Sequence, residues 1–97
     1  NIPVIAVSLG KDGSLVKTES GLFRIYSPEV HVCNTIGCGD SFLSGLIFGI
    51  YNQMSWEDTF RTAASISAAT AESPISVGYD HKRAAELARQ VKIMKLA

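Results

Sequence analysis

Four neighbouring residues, Gly37, Cys38, Gly39 and Asp40, are the best placed for chemistry in this sequence. They stand where an extended segment is predicted to turn into a helix. Backbone N–H groups at such a turn point outward together and meet the positive end of the helix dipole, which favours a bound anion. Glycine has no Cβ, so a phosphate can approach closely. Asp40 would repel that phosphate unless it took a proton from an attacking hydroxyl, so the four residues predict phosphoryl transfer.

The same residues have a simpler interpretation, a glycine loop closed by an acidic helix cap. Asp is common at helix N-termini because its side chain satisfies free N–H groups, and short glycine motifs recur by chance. The segment lacks the Gly-Lys-Ser/Thr ending of a Walker loop, and its glycine spacing is not that of the Rossmann fingerprint. Spacing alone leaves both interpretations open.

Extended elements are predicted ahead of this segment. The first apolar run shows no alternation, which is typical of a strand buried in a parallel sheet; it consists of Val4, Ile5, Ala6, Val7 and Leu9. Residues 10–13 mark a turn. Residues 14–18 and 22–26 are separated by Glu-Ser-Gly and predict a β-hairpin. Because the first strand has no parallel partner here, we expect the chain to be a piece of a longer protein.

Three helices are predicted from Asp40 onward. The first has apolar residues around most of its circumference and is expected to be buried. Its stripe of small residues, Ser41, Gly45 and Gly49, suits the close approach of another backbone. The second follows a capping box at residues 55–58 and is expected to end near residue 71.

The third predicted helix is capped by Asp80. Its apolar stripe is Ala84, Leu87, Ala88 and Val91. The basic residues between Lys82 and Lys95 are expected on a solvated face of that helix.

Composition narrows the classes of function. The 97 residues are 46% hydrophobic and 19% charged, which excludes a disordered segment and fits one domain or part of one. Nine basic residues balance nine acidic ones, so nothing favours nucleic acid as a partner. No apolar run approaches the roughly 20 residues of a membrane helix. Two cysteines make no disulfide framework, and with no secretory signal we expect a cytoplasmic protein.

Residues 34–46 closely resemble the C-terminal signature of the ribokinase-like, or phosphofructokinase B, carbohydrate kinases. That signature reads Asp/Asn-Thr-x-Gly-Ala-Gly-Asp and continues into a helix of small residues. Residues 7–13 are similar to the family's strand and nucleotide loop, and a hairpin separates the two motifs as expected. The resemblance implies an α/β fold, the C-terminal portion of a three-layer α/β/α architecture built as a strand, a β-hairpin and three helices. Residues 1–97 would then be about the last third of one kinase domain.

The resemblance implies a role for each matching position. Asp40 matches the catalytic base, which deprotonates the sugar hydroxyl. The anion hole for the γ-phosphate is matched by Gly37, Cys38 and Gly39. The loop that contacts the nucleotide is matched by Ser8, Gly10 and Gly13. Family members use ATP with Mg²⁺ held mostly by phosphates and water, so no dedicated metal ligands are expected. Asn34 and Ile36 lie where some members hold a monovalent cation.

Two positions depart from the family pattern. Cys38 replaces the usual Ala or Ser, and at a helix N-terminus its thiol is expected to be somewhat acidic and oxidisable. Ala64 replaces the asparagine that ribokinase places near the adenine. Residues 73–80, the closing helix and the Asn34-Thr35 pair look more like the fructose-1-phosphate and tagatose-6-phosphate kinases.

The resulting expectation is a kinase that transfers phosphate from ATP to a hydroxyl of a phosphorylated ketohexose. The 97-residue chain alone is not expected to phosphorylate anything, because the sugar-binding segments and lid are absent from it. The alternatives are a kinase of another sugar or nucleoside in the same family, and a non-catalytic α/β interaction module. Exposed sheet edges and an exposed core face would favour homo-oligomers or aggregates.

A metal centre is a further alternative. His31, Cys33, Cys38 and Asp40 are all ligand types, but their spacing matches no zinc pattern. We therefore predict no metal held by these side chains.

Overall fold

Four strands and three helices make up the part of the chain that a computed structural model describes, residues 4–8, 12–30, 38–73 and 81–97. In chain order they are β1 (Ile5–Ser8), β2 (Ser14–Thr18), β3 (Gly21–Tyr26), α1 (Cys38–Tyr51), α2 (Trp56–Glu72), α3 (His81–Ala88) and β4 (Lys92–Lys95). The strands form one antiparallel sheet in the order β1-β2-β3-β4. The mixed α/β class expected from the sequence is confirmed.

The β2–β3 hairpin forms as predicted. Val16 pairs with Phe23, and Thr18 pairs with Gly21 beside the turn. Gly21 has a φ of +137°, a backbone conformation that residues other than glycine rarely adopt. The Thr18 hydroxyl accepts a hydrogen bond from the Ser20 backbone N–H at 3.0 Å, which closes the turn. Alternate residues of β2 are buried, so one face of the hairpin points to the core.

The first strand differs from the prediction in two ways. It pairs antiparallel with β2, Ile5 opposite Lys17, instead of lying in a parallel sheet. It is also exposed on both faces, with Ile5 60% and Val7 50% accessible. The apolar run predicts a strand correctly, but the described residues supply no layer to cover it.

The third helix is shorter than predicted. It ends at Ala88, and Lys92–Lys95 forms β4, with Ile93 opposite Ile25 of β3. The guanidinium of Arg61 on α2 donates to the carbonyl oxygens of Ala88 and Val91 at 2.9 and 2.7 Å, one on each side of the break. These bonds tie the end of α3 and the residue before β4 to α2.

The contact between α1 and α2 is the tightest in the core. A Cβ added at Gly45 would lie 2.6 Å from the Ala63 Cα, and one added at Gly49 would overlap Thr59. The predicted small-residue stripe therefore lets two helix backbones approach closely. Phe60 is fully buried below this contact, with its ring centroid 5.1 Å from that of Phe23.

The second helix begins and ends close to its predicted bounds. The Ser55 hydroxyl accepts a hydrogen bond from the Asp58 backbone N–H at 3.1 Å, which confirms Ser55 as the N-cap. The helix ends at Glu72, one residue beyond the predicted end. Its position is therefore fixed by a local cap and by its small-residue face.

The outer face of α1 contradicts the prediction of a buried helix. Phe48 is 57% and Tyr51 85% accessible, and Leu43, Ile47 and Ile50 are also exposed. α2 covers only the face that carries Gly45, Leu46 and Gly49. Among the described residues, no helix has both the length and the apolarity needed to cross a membrane.

Replacing Gly45 with valine tests the close helix contact. The new side chain must push Ala63 away, so we expect the free energy of unfolding to fall by about 1–3 kcal/mol. The matched control is Ser44→Val, which adds the same side chain at an exposed position of the same helix. Urea titrations of both variants measure the effect. Equal stability of the two variants would show that Gly45 is not a packing requirement.

Candidate functional site

The two sequence motifs meet across one cavity of about 1070 Å³. Its lining includes the loop before β2 and the start of that strand, the first turn of α1 and the second half of α2: Asp12, Gly13 and Ser14; Cys38 and Gly39; Ser67, Ala68 and Ala71. Ala6 of β1 and residues 27–30 after β3 also line it, as do Phe42, Leu43 and Leu46 of α1. Ligand pockets typically measure about 300–1,000 Å³, so this space is large enough for a nucleotide-sized molecule. Loop and helix are thus brought together although at least 23 residues separate them in the sequence, from Ser14 to Cys38.

The loop before β2 is held rigidly against β3. Gly13 has a φ of +93°, and a Cβ there would overlap the backbone carbonyl of Ile25. The fold therefore requires glycine at position 13, whatever ligand the cavity takes. Arg24 of β3 donates a hydrogen bond from Nη2 to the Asp12 carbonyl oxygen at 2.8 Å, and its guanidinium lies 4.8 Å from the Tyr26 ring centroid. Sequence reasoning missed Arg24, because only the strand register reveals this contact.

Gly39 lies beside open space in the first turn of α1. A Cβ added there would meet no atom within 4 Å in the described structure. Packing therefore does not explain glycine at this position, in contrast to Gly13. The backbone of the first turn of α1 is therefore accessible at Gly39.

Asp40 is exposed in the same turn. None of the ion pairs within the described ranges involves its carboxylate. Asp40 is not itself among the residues that line the cavity, but it follows Gly39 directly. Its carboxylate is open to solvent.

Two hydroxyl contacts join α2 to the first turn of α1. Ser67 Oγ donates to the Cys38 carbonyl oxygen at 3.1 Å. Ser41 Oγ lies 3.1 Å from Thr70 Oγ1, and Thr70 gives its only hydroxyl proton to the Ile66 carbonyl, so Ser41 is the donor of this pair. Ser67 is expected from the sequence only on the thin packing face of α2, and neither Ser67 nor Thr70 is linked to the motif by sequence alone, since both belong to a different helix.

The Cys38 thiol differs from its prediction. Burial raises the pKa of Cys38 above its ordinary value, because the partly enclosed thiolate loses solvation. The expectation of an acidic thiol at the helix N-terminus is therefore wrong. Cys38 contributes its small size and backbone groups to the site, and little thiolate is present near neutral pH.

Several predicted site residues lie outside the described residues. They are Gly10, Gly37, Asn34, Ile36, His31 and Cys33. Ser8 is described as the last residue of β1, paired with Ser14. Ala64 is fully buried in the core beside Phe60 and Ala63 and does not line the cavity. The described ranges hold no group of three side chains that could bind a metal ion.

Known proteins share both the sequence and the fold. The 1-phosphofructokinase of Escherichia coli (strain K12) is 36% identical over 86 residues, 88% of this chain and 28% of the relative. The aminoimidazole riboside kinase of Salmonella typhimurium is 38% identical over 71 residues, 73% of this chain and 22% of that protein. The chain thus spans less than a third of the length of these relatives.

The same likeness extends to solved structures. A crystal structure of a provisionally assigned phosphofructokinase from Staphylococcus aureus superposes with a TM-score of 0.85 at 30% identity, over 96% of this chain and 30% of that one. Residues 1–78 match the pfkB family carbohydrate kinase pattern, which covers the hairpin, α1 and α2. The chain therefore belongs to the pfkB family of carbohydrate kinases.

Proposed function

We propose that this chain is the ATP-binding and proton-accepting part of a kinase that phosphorylates a hydroxyl of a sugar phosphate. The 1-phosphofructokinase or tagatose-6-phosphate kinase type is the specific activity we favour. The observation that carries the proposal is the shared cavity, which the nucleotide loop and the first turn of α1 line together. We place the reaction in the cytoplasm, where ATP is available.

The proposed chemistry gives each matching residue one role. ATP lies along residues 8–13 and directs its γ-phosphate to the backbone N–H groups of residues 37–39. The sugar hydroxyl attacks phosphorus, the bond from the γ-phosphorus to the bridging oxygen breaks, and ADP leaves with that oxygen. Asp40 accepts the hydroxyl proton, and the α1 N-terminus stabilises charge on the phosphoryl oxygens. The exposed carboxylate of Asp40 beside the open space at Gly39 supports these roles.

Mg²⁺ bound to the ATP phosphates would neutralise their charge during transfer. Such an ion takes one or two carboxylates and several waters, so it needs no cluster of protein ligands. Asp12 and Glu29 line the cavity and are the carboxylates we assign to it. A monovalent cation at Asn34 and Ile36 stays a proposal that rests on the family resemblance alone.

The choice of sugar rests on the comparisons. The likeness to E. coli 1-phosphofructokinase extends over 88% of this chain, against 73% for the riboside kinase. This difference favours a phosphorylated ketohexose as the acceptor. The riboside kinase match supports the second candidate, a kinase that phosphorylates a nucleoside or another sugar in the same cavity.

Two apolar surfaces suggest what completes the site. One is the outer face of α1 with Leu43, Ile47 and Phe48, and the other is the exposed β1 strand. Since relatives are more than three times as long as the matched part, we propose that the remaining kinase domain covers both surfaces. The isolated chain would then be inactive and prone to self-association, and an interaction module becomes the less favoured interpretation.

Asp40→Asn tests the proton acceptor. We propose to measure it in a hybrid kinase, in which this chain replaces the matching part of E. coli 1-phosphofructokinase. The amide cannot accept the hydroxyl proton, so kcat should fall by about 10²–10⁴-fold while the KM for ATP changes little. Asp58→Asn, at an exposed aspartate in the first turn of α2, is the matched control. Near-normal turnover of the Asp40 variant would remove Asp40 from the mechanism.

Gly39→Val tests whether a phosphate occupies the space beside α1. The structure leaves room for the side chain, so the melting temperature should stay within a few degrees of the parent. The branched Cβ should nevertheless obstruct the γ-phosphate and raise the KM for ATP or lower kcat strongly in the hybrid. Kinetic constants equal to those of the parent would argue that no phosphate binds there.

Phe48→Lys tests the proposed cover over α1. In the isolated chain the new charge should reduce self-association, measured by sedimentation velocity, because it interrupts an exposed apolar face. In the hybrid the same change should lower thermal stability, since a charge would be buried without a partner. Ser44→Lys adds the same charge at an exposed polar residue of α1. This control is expected to change neither the self-association of the isolated chain nor the thermal stability of the hybrid. Unchanged stability of the Phe48 hybrid would exclude a buried interface at this face.

A further inference from the structure

We propose that Ser67 is a positioning residue that orients and polarises the Gly39 backbone N–H, one of the donors to the γ-phosphate. This inference rests on the proposed function, since it assigns Gly39 to the anion site. It adds a residue on α2 to a site that the sequence motif places entirely in α1 and the segment before it. The Ser67 hydroxyl touches backbone and not the reacting atoms, so its effect passes through the peptide group.

The peptide bond between Cys38 and Gly39 transmits this effect. Ser67 Oγ donates to the Cys38 carbonyl oxygen at 3.1 Å. That oxygen and the Gly39 N–H belong to one planar trans peptide group and point in opposite directions. Fixing the oxygen therefore fixes the direction of the N–H.

The same hydrogen bond also changes the strength of the donor. A carbonyl that accepts a hydrogen bond draws electron density from the peptide nitrogen, and the N–H becomes a stronger donor. The Ser67 hydroxyl is partly buried, so water competes less for it than at an exposed site. The stronger donor is the Gly39 N–H, and a Cβ added at Gly39 would meet only open space.

A second hydroxyl contact stops the first turn of α1 from rotating. Ser41 donates to Thr70, three residues after Ser67 on α2, just as Ser41 lies three residues after Cys38 on α1. Because α1 and α2 run antiparallel, with Gly45 against Ala63 and Gly49 against Thr59, the two contacts cross the helix interface diagonally. Each alone would allow rotation about its own bond, and together they set the orientation of the turn.

Ser65 offers a matched control for this proposal. Its hydroxyl is also on α2 and partly buried, but it donates to the Thr62 carbonyl within the same helix at 3.0 Å. A Ser65→Ala variant removes one α2 hydroxyl whose hydrogen bond stays within α2. If the serines of α2 had only a structural role, the Ser65→Ala and Ser67→Ala substitutions would have similar effects.

The experiment compares Ser67→Ala, Ser67→Thr and Ser65→Ala. In the 97-residue chain, the Gly39 amide proton resonance should move upfield in Ser67→Ala alone, because the N–H is less polarised. In the hybrid kinase, Ser67→Ala should lower kcat about 5- to 20-fold with less than about a twofold change in the KM for ATP. This loss is smaller than the about 10²–10³-fold cost of deleting a transition-state donor outright. Ser67→Thr keeps the hydroxyl and should restore both readouts.

The outcomes separate this proposal from the proposed function. If Ser67→Ala matches Ser65→Ala in kcat while Asp40→Asn remains inactive, the positioning role is overturned and the kinase assignment stands. If Asp40→Asn is as active as the parent, the proposed function fails, whereas a selective Gly39 amide shift would still establish the peptide contact. An unshifted Gly39 resonance in Ser67→Ala overturns the inference even where the hybrid does not fold.

Discussion

The close approach of α1 and α2 at Gly45 and Ala63 is the constraint on which the rest of the described structure depends. With any side chain at position 45 the helices would move apart, since a Cβ there lies 2.6 Å from the Ala63 Cα. The same approach brings Ser67 and Thr70 of α2 within hydrogen-bonding distance of α1. A packing requirement in the middle of the helix pair therefore sets the geometry at its end, where the anion site is proposed.

The two glycines that line the cavity have different physical origins. Gly13 is required by the fold, because its φ is positive and a Cβ would overlap Ile25. Gly39 is free of such conflicts with the described residues, which fits the ligand contact proposed for it. A glycine motif in a sequence thus combines positions fixed by backbone geometry with positions left open for binding, and a structure is needed to tell them apart.

Local signals in the sequence predicted local structure well. The capping box at Ser55, the hairpin and the small-residue stripe of α1 depend on residues close in sequence. The strand β4 was missed because Val91 continues the helical stripe of Ala84, Leu87 and Ala88. The pairing of β4 with β3, and the bond from Arg61 to Val91, 30 residues away, join residues that are distant in the sequence. Contacts between residues so far apart produce no periodic pattern in the sequence.

Burial was the least predictable property, because it depends on atoms that the local sequence does not contain. The apolar runs of β1 and α1 predicted enclosed elements, yet Val7 and Phe48 are exposed in this chain. For the candidate site, Asp40, Cys38 and Gly39 were identifiable from their motif. The thiol pKa of Cys38 and the contacts from Arg24 and Ser67 required the fold.

The chain contains a single tryptophan, and its location has a practical consequence. Trp56 stacks on Phe60 with ring centroids 5.6 Å apart, at the junction of the helices and the sheet, and it is not among the residues lining the cavity. Its fluorescence therefore reports core assembly with little direct contribution from bound nucleotide. The sequence thus carries an intrinsic optical marker of folding that is spatially separate from the region assigned to ATP.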